Sequence, residues 1–199
     1  MNTQLQTFWL EKTNRIRRWL RRYNYGDNEP CADHDAMVFL DDVEGEENVT
    51  GDRWDHADIR WPKVCPNCHR EFGSDGYWQL FCNTIYRRSD TGDFVTLRDV
   101  PDGATWDATW MHDCKELCGT DGRCIVCKLP GGHHWMIDSR ASNCTRQDDK
   151  IHKCWCRHGT PEKCDLTVDK NGDTCSAGAG SIVVPGWHGF LRAGRLESC

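Results

Sequence analysis

The sequence is poor in the residues that usually build a core. Leu, Ile, Val and Phe number 34 of 199, about 17%, and a chain below roughly 20% with a large net charge would stay disordered. The large net charge is missing too, because the formal value is only −6. No run of 18 apolar residues occurs, so no transmembrane helix is expected. The first residues lack the apolar stretch of about 7–15 residues and the small-residue cleavage site of a secretory signal. Synthesis in a reducing cytoplasm is therefore expected, where cysteines serve more often as metal ligands than in disulfides. No internal repeat is evident, and "SAGAGS" (176–181) is too short and wrongly spaced for a phosphate-binding loop.

What the chain has instead is 14 Cys, ten Trp and nine His. Large aromatic side chains bury much area each, and metals or cross-links replace missing aliphatic burial. The fold class expected is α+β, mostly short β-strands and loops, with an N-terminal amphipathic helix. Stapling would come from zinc, disulfides or both.

Charge divides the chain. Residues 1–23 hold six basic side chains against Glu11 alone, and residues 27–58 hold twelve carboxylates against Arg53 alone. Three regions follow: a basic helical arm (1–26), an acidic segment (27–58) and a cysteine-rich, β-dominated domain (59–199). The basic and acidic stretches each face a partner or each other. In the arm, Leu5, Phe8, Trp9, Ile16, Trp19, Leu20 and Tyr23 recur at three- and four-residue spacing, which predicts a helix over 3–23. Its stripe is too apolar for water and calls for burial, wholly or partly against another subunit. "AMVFL" (36–40) reads as a short strand. Asn171-Gly172 is the strongest hairpin signal in the chain.

"CPNCHREF" places Cys65 and Cys68 in a CxxC turn, where two thiolates reach one ion and turn amides point at the sulfurs. Cys65 and Cys68 are the metal ligands expected, with zinc as the ion. The next CxxC, Cys124 and Cys127, lies far downstream. Cys82, His112, Cys114 and Cys118 are nearer candidates for the remaining ligands. Cys114, Cys118, Cys124 and Cys127 form a dense group of their own, suited to a second zinc or to disulfides.

"GGHHWMIDSRASNCT" (131–145) holds the residue types of a nucleophilic site: Cys144, a histidine from His133, His134, His152 or His158 as base, and Asp138 to orient it. The same region offers a metal set drawn from Cys144, Cys154, Cys156 and Cys175 with His152 or His158. It also reads as plain loop structure, with short polar side chains bonding backbone. Composition and spacing leave all three open, so no catalytic residue is assigned.

The stretches "TLRDVPDGATWDATW", "GGHHWMIDSRASNCT", "HKCWCRHG", "TVDKNGDTCSAGAGSI" and "WHGFL", within residues 97–191, resemble a family of uncharacterised proteins of tailed bacteriophages and prophages. The resemblance implies a non-enzymatic structural component of a phage particle, on the head, neck or tail, made in the host cytoplasm and located in the virion. Its partners would be other virion chains, copies of itself among them, with no nucleic acid expected from an acidic chain. The alternatives are a phage enzyme with a Cys/His or zinc centre and a zinc-bearing regulatory binder. In a virion, Cys199 and one of Cys114, Cys118, Cys124 or Cys127 would form disulfides between chains.

Overall fold

The computed structural model describes residues 4–24, 34–45, 54–74, 76–141, 143–146, 148–149, 152–170, 175 and 180–199. Its strands are β1 (Gln4–Gln6), β2 (Phe8–Tyr23), β3 (Asp35–Glu44), β4 (Tyr77–Arg88), β5 (Phe94–Thr96), β6 (Ala104–Asp107) and β7 (Ile125–Leu129). They continue as β8 (His133–Met136), β9 (Trp155–His158), β10 (Thr167–Lys170), β11 (Ile182–Val184), β12 (Trp187–Arg192) and β13 (Arg195–Ser198). The helical elements among the described residues are two three-residue 3₁₀ turns, Thr109–Met111 and Pro161–Lys163. The chain forms two compact units, one of residues 1–11, 87–93 and 99–199, the other of residues 12–86 and 94–98.

The expected α+β class with an N-terminal helix is corrected by β2, a strand of 16 residues. Its buried side chains are Phe8, Leu10, Ile16, Leu20 and Arg22, all even-numbered, the period of a pleated strand. Ile16 and Leu20 stand four apart, a spacing that shares a face in a helix and in a strand alike. Arg22 occupies a core-facing position and so hides the alternation that would have identified the strand. Phe8, Ile16 and Leu20 are covered by their own chain, each 6% exposed or less. The strand at "AMVFL" is present, within β3. Asn171 and Gly172 lie outside the described residues, and β10 before them pairs antiparallel with β9.

In the second unit, β3 runs antiparallel to β2, and its acidic residues meet the arm's arginines. Arg17 faces Asp42 with two hydrogen bonds of 2.8 and 2.9 Å, and Arg18 faces Asp41 with two of 2.7 Å. Arg21 reaches Asp35 at 2.7 Å. The basic and acidic stretches are thus cross-strand partners, each pair worth roughly 0.2–1 kcal/mol. On the buried face, Ile16, Leu20, Leu40, Trp61, Leu80 and Cys82 form a core with Trp78 packed against it. Trp61 and Trp78 meet edge to face at 5.0 Å, the aromatic burial that scarce aliphatics require.

The Arg18 guanidinium, hydrogen-bonded to Asp41, holds that carboxyl below the ordinary carboxylate range. A depressed folded value means stability that is present above the unfolded value of about 4 and lost as pH falls through the folded one. Asp41→Asn should therefore flatten the acid limb of a stability–pH profile below about pH 4, an effect that weakens with salt because the Asp41 side chain is 37% exposed. An unchanged acid limb at low salt would count against this pairing.

In the first unit, β1, β13, β12 and β11 lie side by side in that order. The start of β2 pairs parallel with β6, and β6, β7 and β8 continue antiparallel. Ile125, Leu129, Ile137, Leu166, Val168, Ile182, Leu191 and Leu196 form its core. The β12–β13 hairpin turns on Ala193 and Gly194, both at positive φ, as a type I′ loop requires. A Cβ on Gly194 would lie 1.7 Å from the Cys164 carbonyl oxygen. Gly194→Ala should cost more than about 2 kcal/mol in a urea titration, since it adds a backbone clash to left-handed strain.

Candidate metal centre

"CPNCHREF" folds as a small knuckle. Val64 and Glu71 form an antiparallel bridge, the Cys65 amide donates to Arg70 O, and the His69 amide returns to Cys65 O, both at 2.9 Å. The chain reverses at His69, which has φ 60. Histidine is one of the few side chains tolerated there, so His69 serves the turn.

The third member of the centre is His34, on the residue before β3. Its carbonyl accepts from the Asn24 amide at 3.0 Å, which continues the β2–β3 ladder by one step. Its ring packs on Phe72 at 4.5 Å, and its Nδ1 lies 3.4 Å from Cys68 Sγ. The ligand atoms of His34, Cys65 and Cys68 all fall within 4.8 Å of one another. Sulfur at about 2.3 Å and nitrogen at about 2.0–2.1 Å from a tetrahedral ion stand about 3.6 Å apart, so the observed spacing fits a shared ion. Cys65 is 0% and His34 3% exposed, and Cys68 is half-buried. Two thiols and an imidazole converging in so dry a place form a donor set for a thiophilic divalent cation.

Arg22 ties this centre to the sheet. It is buried on β2 and donates from Nη2 to Gly73 O at 2.6 Å, with longer approaches to the carbonyls of Phe72 and Pro62. Those carbonyls belong to both legs of the knuckle. The guanidinium lies 3.8 Å over the Trp78 ring, and burial lowers its pKa. β2 therefore holds the knuckle through Arg22, and Asn24, the residue after it, holds His34 through its amide.

No family model, curated protein or solved structure matches this chain. The ligand set accordingly rests on the geometry of its own residues.

That geometry sorts the other candidates. Cys82 belongs to the β4 core. His112 pairs with Asp107 at 2.8 Å. Cys118 turns its thiol to backbone carbonyls, among them Cys114 O at 3.4 Å, and burial raises its pKa. Burial also pushes Cys124 up to about 11 and Cys127 up to about 12, as expected of inert core thiols. Cys114, Cys118, Cys124 and Cys127 do not form a metal-sized group among the described residues. Cys199 is exposed, with its amide on His188 O.

The residue types of a nucleophilic site are dispersed. Asp138 is held by Arg157 at 3.3 Å, and burial raises its pKa. His133 bonds Pro185 O, His134 packs on Trp106, and His158 faces Asp169 at 3.5 Å. Cys144 and His152 do come together, but with Cys154 and Cys175. Cys156 lies on β9 opposite Asp169. Burial pushes Cys154 up to about 12. Burial acts on Cys144 in the same sense but is outweighed there by the Arg146 amide, the Cys154 and Cys175 thiols and the Arg140 charge, which bring its thiol below the ordinary value.

Sequence reasoning missed His34, because it stands 31 residues before Cys65, beyond the usual span of a zinc ribbon. The overlooked signal was Cys31-x-x-His34, a ligand-like spacing. Cys31 itself lies outside the described residues.

Proposed function

We propose that this chain is a non-enzymatic structural protein stapled by zinc, and that it serves as a component of a tailed-phage particle. The observation that carries the staple is the convergence of Cys65, Cys68 and His34 on one buried point. Zinc is the ion of choice for a thiolate–imidazole set in tetrahedral spacing. The unit around it has few aliphatics, so a metal supplies cohesion that burial does not. The role in a particle rests on the sequence resemblance over residues 97–191. Its partners would be other virion chains or copies of itself.

A structural role is favoured over a nucleophilic enzyme because Asp138 is engaged by Arg157 and Cys144 stands among further sulfurs rather than beside a lone base. Mass spectrometry of purified phage particles tests the particle role: the chain should be present at a fixed copy number. Its absence from particles, together with its presence in the lysate, would contradict the proposal.

A further inference from the structure

Cys144 belongs to a second donor set with one more ligand than the first. Cys144, His152, Cys154 and Cys175 place one ligand atom each within 4.8 Å of all the others. Cys175 Sγ lies 3.7 Å from Cys154 Sγ, and Cys154 Sγ lies 3.7 Å from His152 Nε2. A disulfide would need about 2.05 Å between sulfurs. Two sulfurs bound at about 2.3 Å to one tetrahedral ion stand about 3.8 Å apart, which is the spacing found.

The surroundings are built as a coordination site is built. The Arg146 amide donates to Cys144 Sγ at 3.4 Å, an amide-to-sulfur bond that stabilises a thiolate. The His152 amide is held by Asp149, through both backbone and carboxylate oxygens at 3.2 Å, which fixes the start of the segment leading to Cys154. Cys154 directly precedes β9, and Cys144 and Cys154 sit in the first unit's core at 4% and 1% exposure. Between Ser139 and Lys153 the only aliphatic residues are Ala141 and Ile151. A stretch so poor in apolar side chains gains cohesion from a metal that aliphatic burial does not supply.

We propose that Cys144, His152, Cys154 and Cys175 form a metal centre that binds one thiophilic divalent cation, zinc foremost, independently of the Cys65–Cys68 knuckle. Three sulfurs and one imidazole complete a tetrahedral shell from protein alone, which is the signature of a structural centre and leaves no position for a substrate. Its task is to pin Cys144, His152 and Cys175 to Cys154 at the start of β9.

The test uses the full chain, purified reduced and loaded with zinc, and maps alkylation of each cysteine by mass spectrometry with and without a strong chelator. Cys175 is half-buried and so reports directly, Cys156 is half-buried and serves as the control, and Cys68 reports the knuckle. Zinc should slow alkylation of Cys175 by about tenfold or more, since a metal-bound thiolate is masked, and leave Cys156 unchanged. Cys175→Ala should lower the zinc content by one per chain while Cys68 stays protected. Equal alkylation of Cys175 with and without zinc would overturn the proposal, whatever Cys68 does. Protection of Cys175 alone would uphold this centre while refuting the knuckle.

Discussion

His34→Ala should cost the protein one zinc per chain and destabilise the unit built from residues 12–86 and 94–98 on the order of 3 kcal/mol or more. Metal binding and folding share one free energy in small metal-stapled structures, where structural zinc is worth roughly 10–16 kcal/mol in apparent binding. Removing one ligand forfeits much of that, whereas an ordinary buried histidine costs about 1–3 kcal/mol. Two controls separate ligand from filler. His34→Cys offers a thiolate from the same place and should retain zinc, while His69→Gly should leave the metal untouched because His69 only makes the turn at φ 60. Cys31→Ser decides whether the centre is closed by a fourth protein ligand or keeps a solvent position. An His34→Ala protein with full zinc content would remove His34 from the centre.

Arg22→Met should be nearly as damaging, for a different reason. The guanidinium is buried and donates from its two terminal nitrogens to the carbonyls of the knuckle legs, while its Nε makes no hydrogen bond. Methionine removes the guanidinium from the Trp78 and Phe72 rings together with its hydrogen bonds to those carbonyls, at about 1–3 kcal/mol for each carbonyl left buried without another donor. The desolvation of a cation is relieved at the same time, so a net loss of about 2–4 kcal/mol is expected. The knuckle's zinc affinity, read by chelator competition, should fall by about tenfold. Arg22→Lys should not rescue it, because a point charge cannot reach both legs as a planar fork does. Unaltered affinity in both variants would show that the knuckle holds its shape without Arg22.

The legible parts of the molecule were those governed by local spacing. Cys65 and Cys68 announce their turn, and the β-character of residues 36–40 shows in their composition. The helix expected over 3–23 failed because Ile16 and Leu20 satisfy both periods and because Arg22 sits where a strand pattern calls for an apolar side chain. Its partner was written in the charges: Arg17, Arg18 and Arg21 against Asp42, Asp41 and Asp35. Nothing in either stretch alone gives the antiparallel register that joins them. His34 illustrates the same limit at the candidate site, since only the β2–β3 pairing carries it to the knuckle. For the second cluster, the types Cys144, Cys154, Cys175 and His152 were readable, but not the exclusion of Cys156 and His158. That exclusion is set by β9, which turns both toward β10 and Asp169.

The most direct measurement of the whole account is the metal content of the intact chain. Protein made in zinc-supplied cells and purified under reductant should contain two zinc per chain by elemental mass spectrometry against amino-acid analysis, one for each donor set. Chelation should remove both and lower the thermal midpoint. A chain that folds, stays reduced, carries no metal and melts at the same temperature with or without chelator would contradict it.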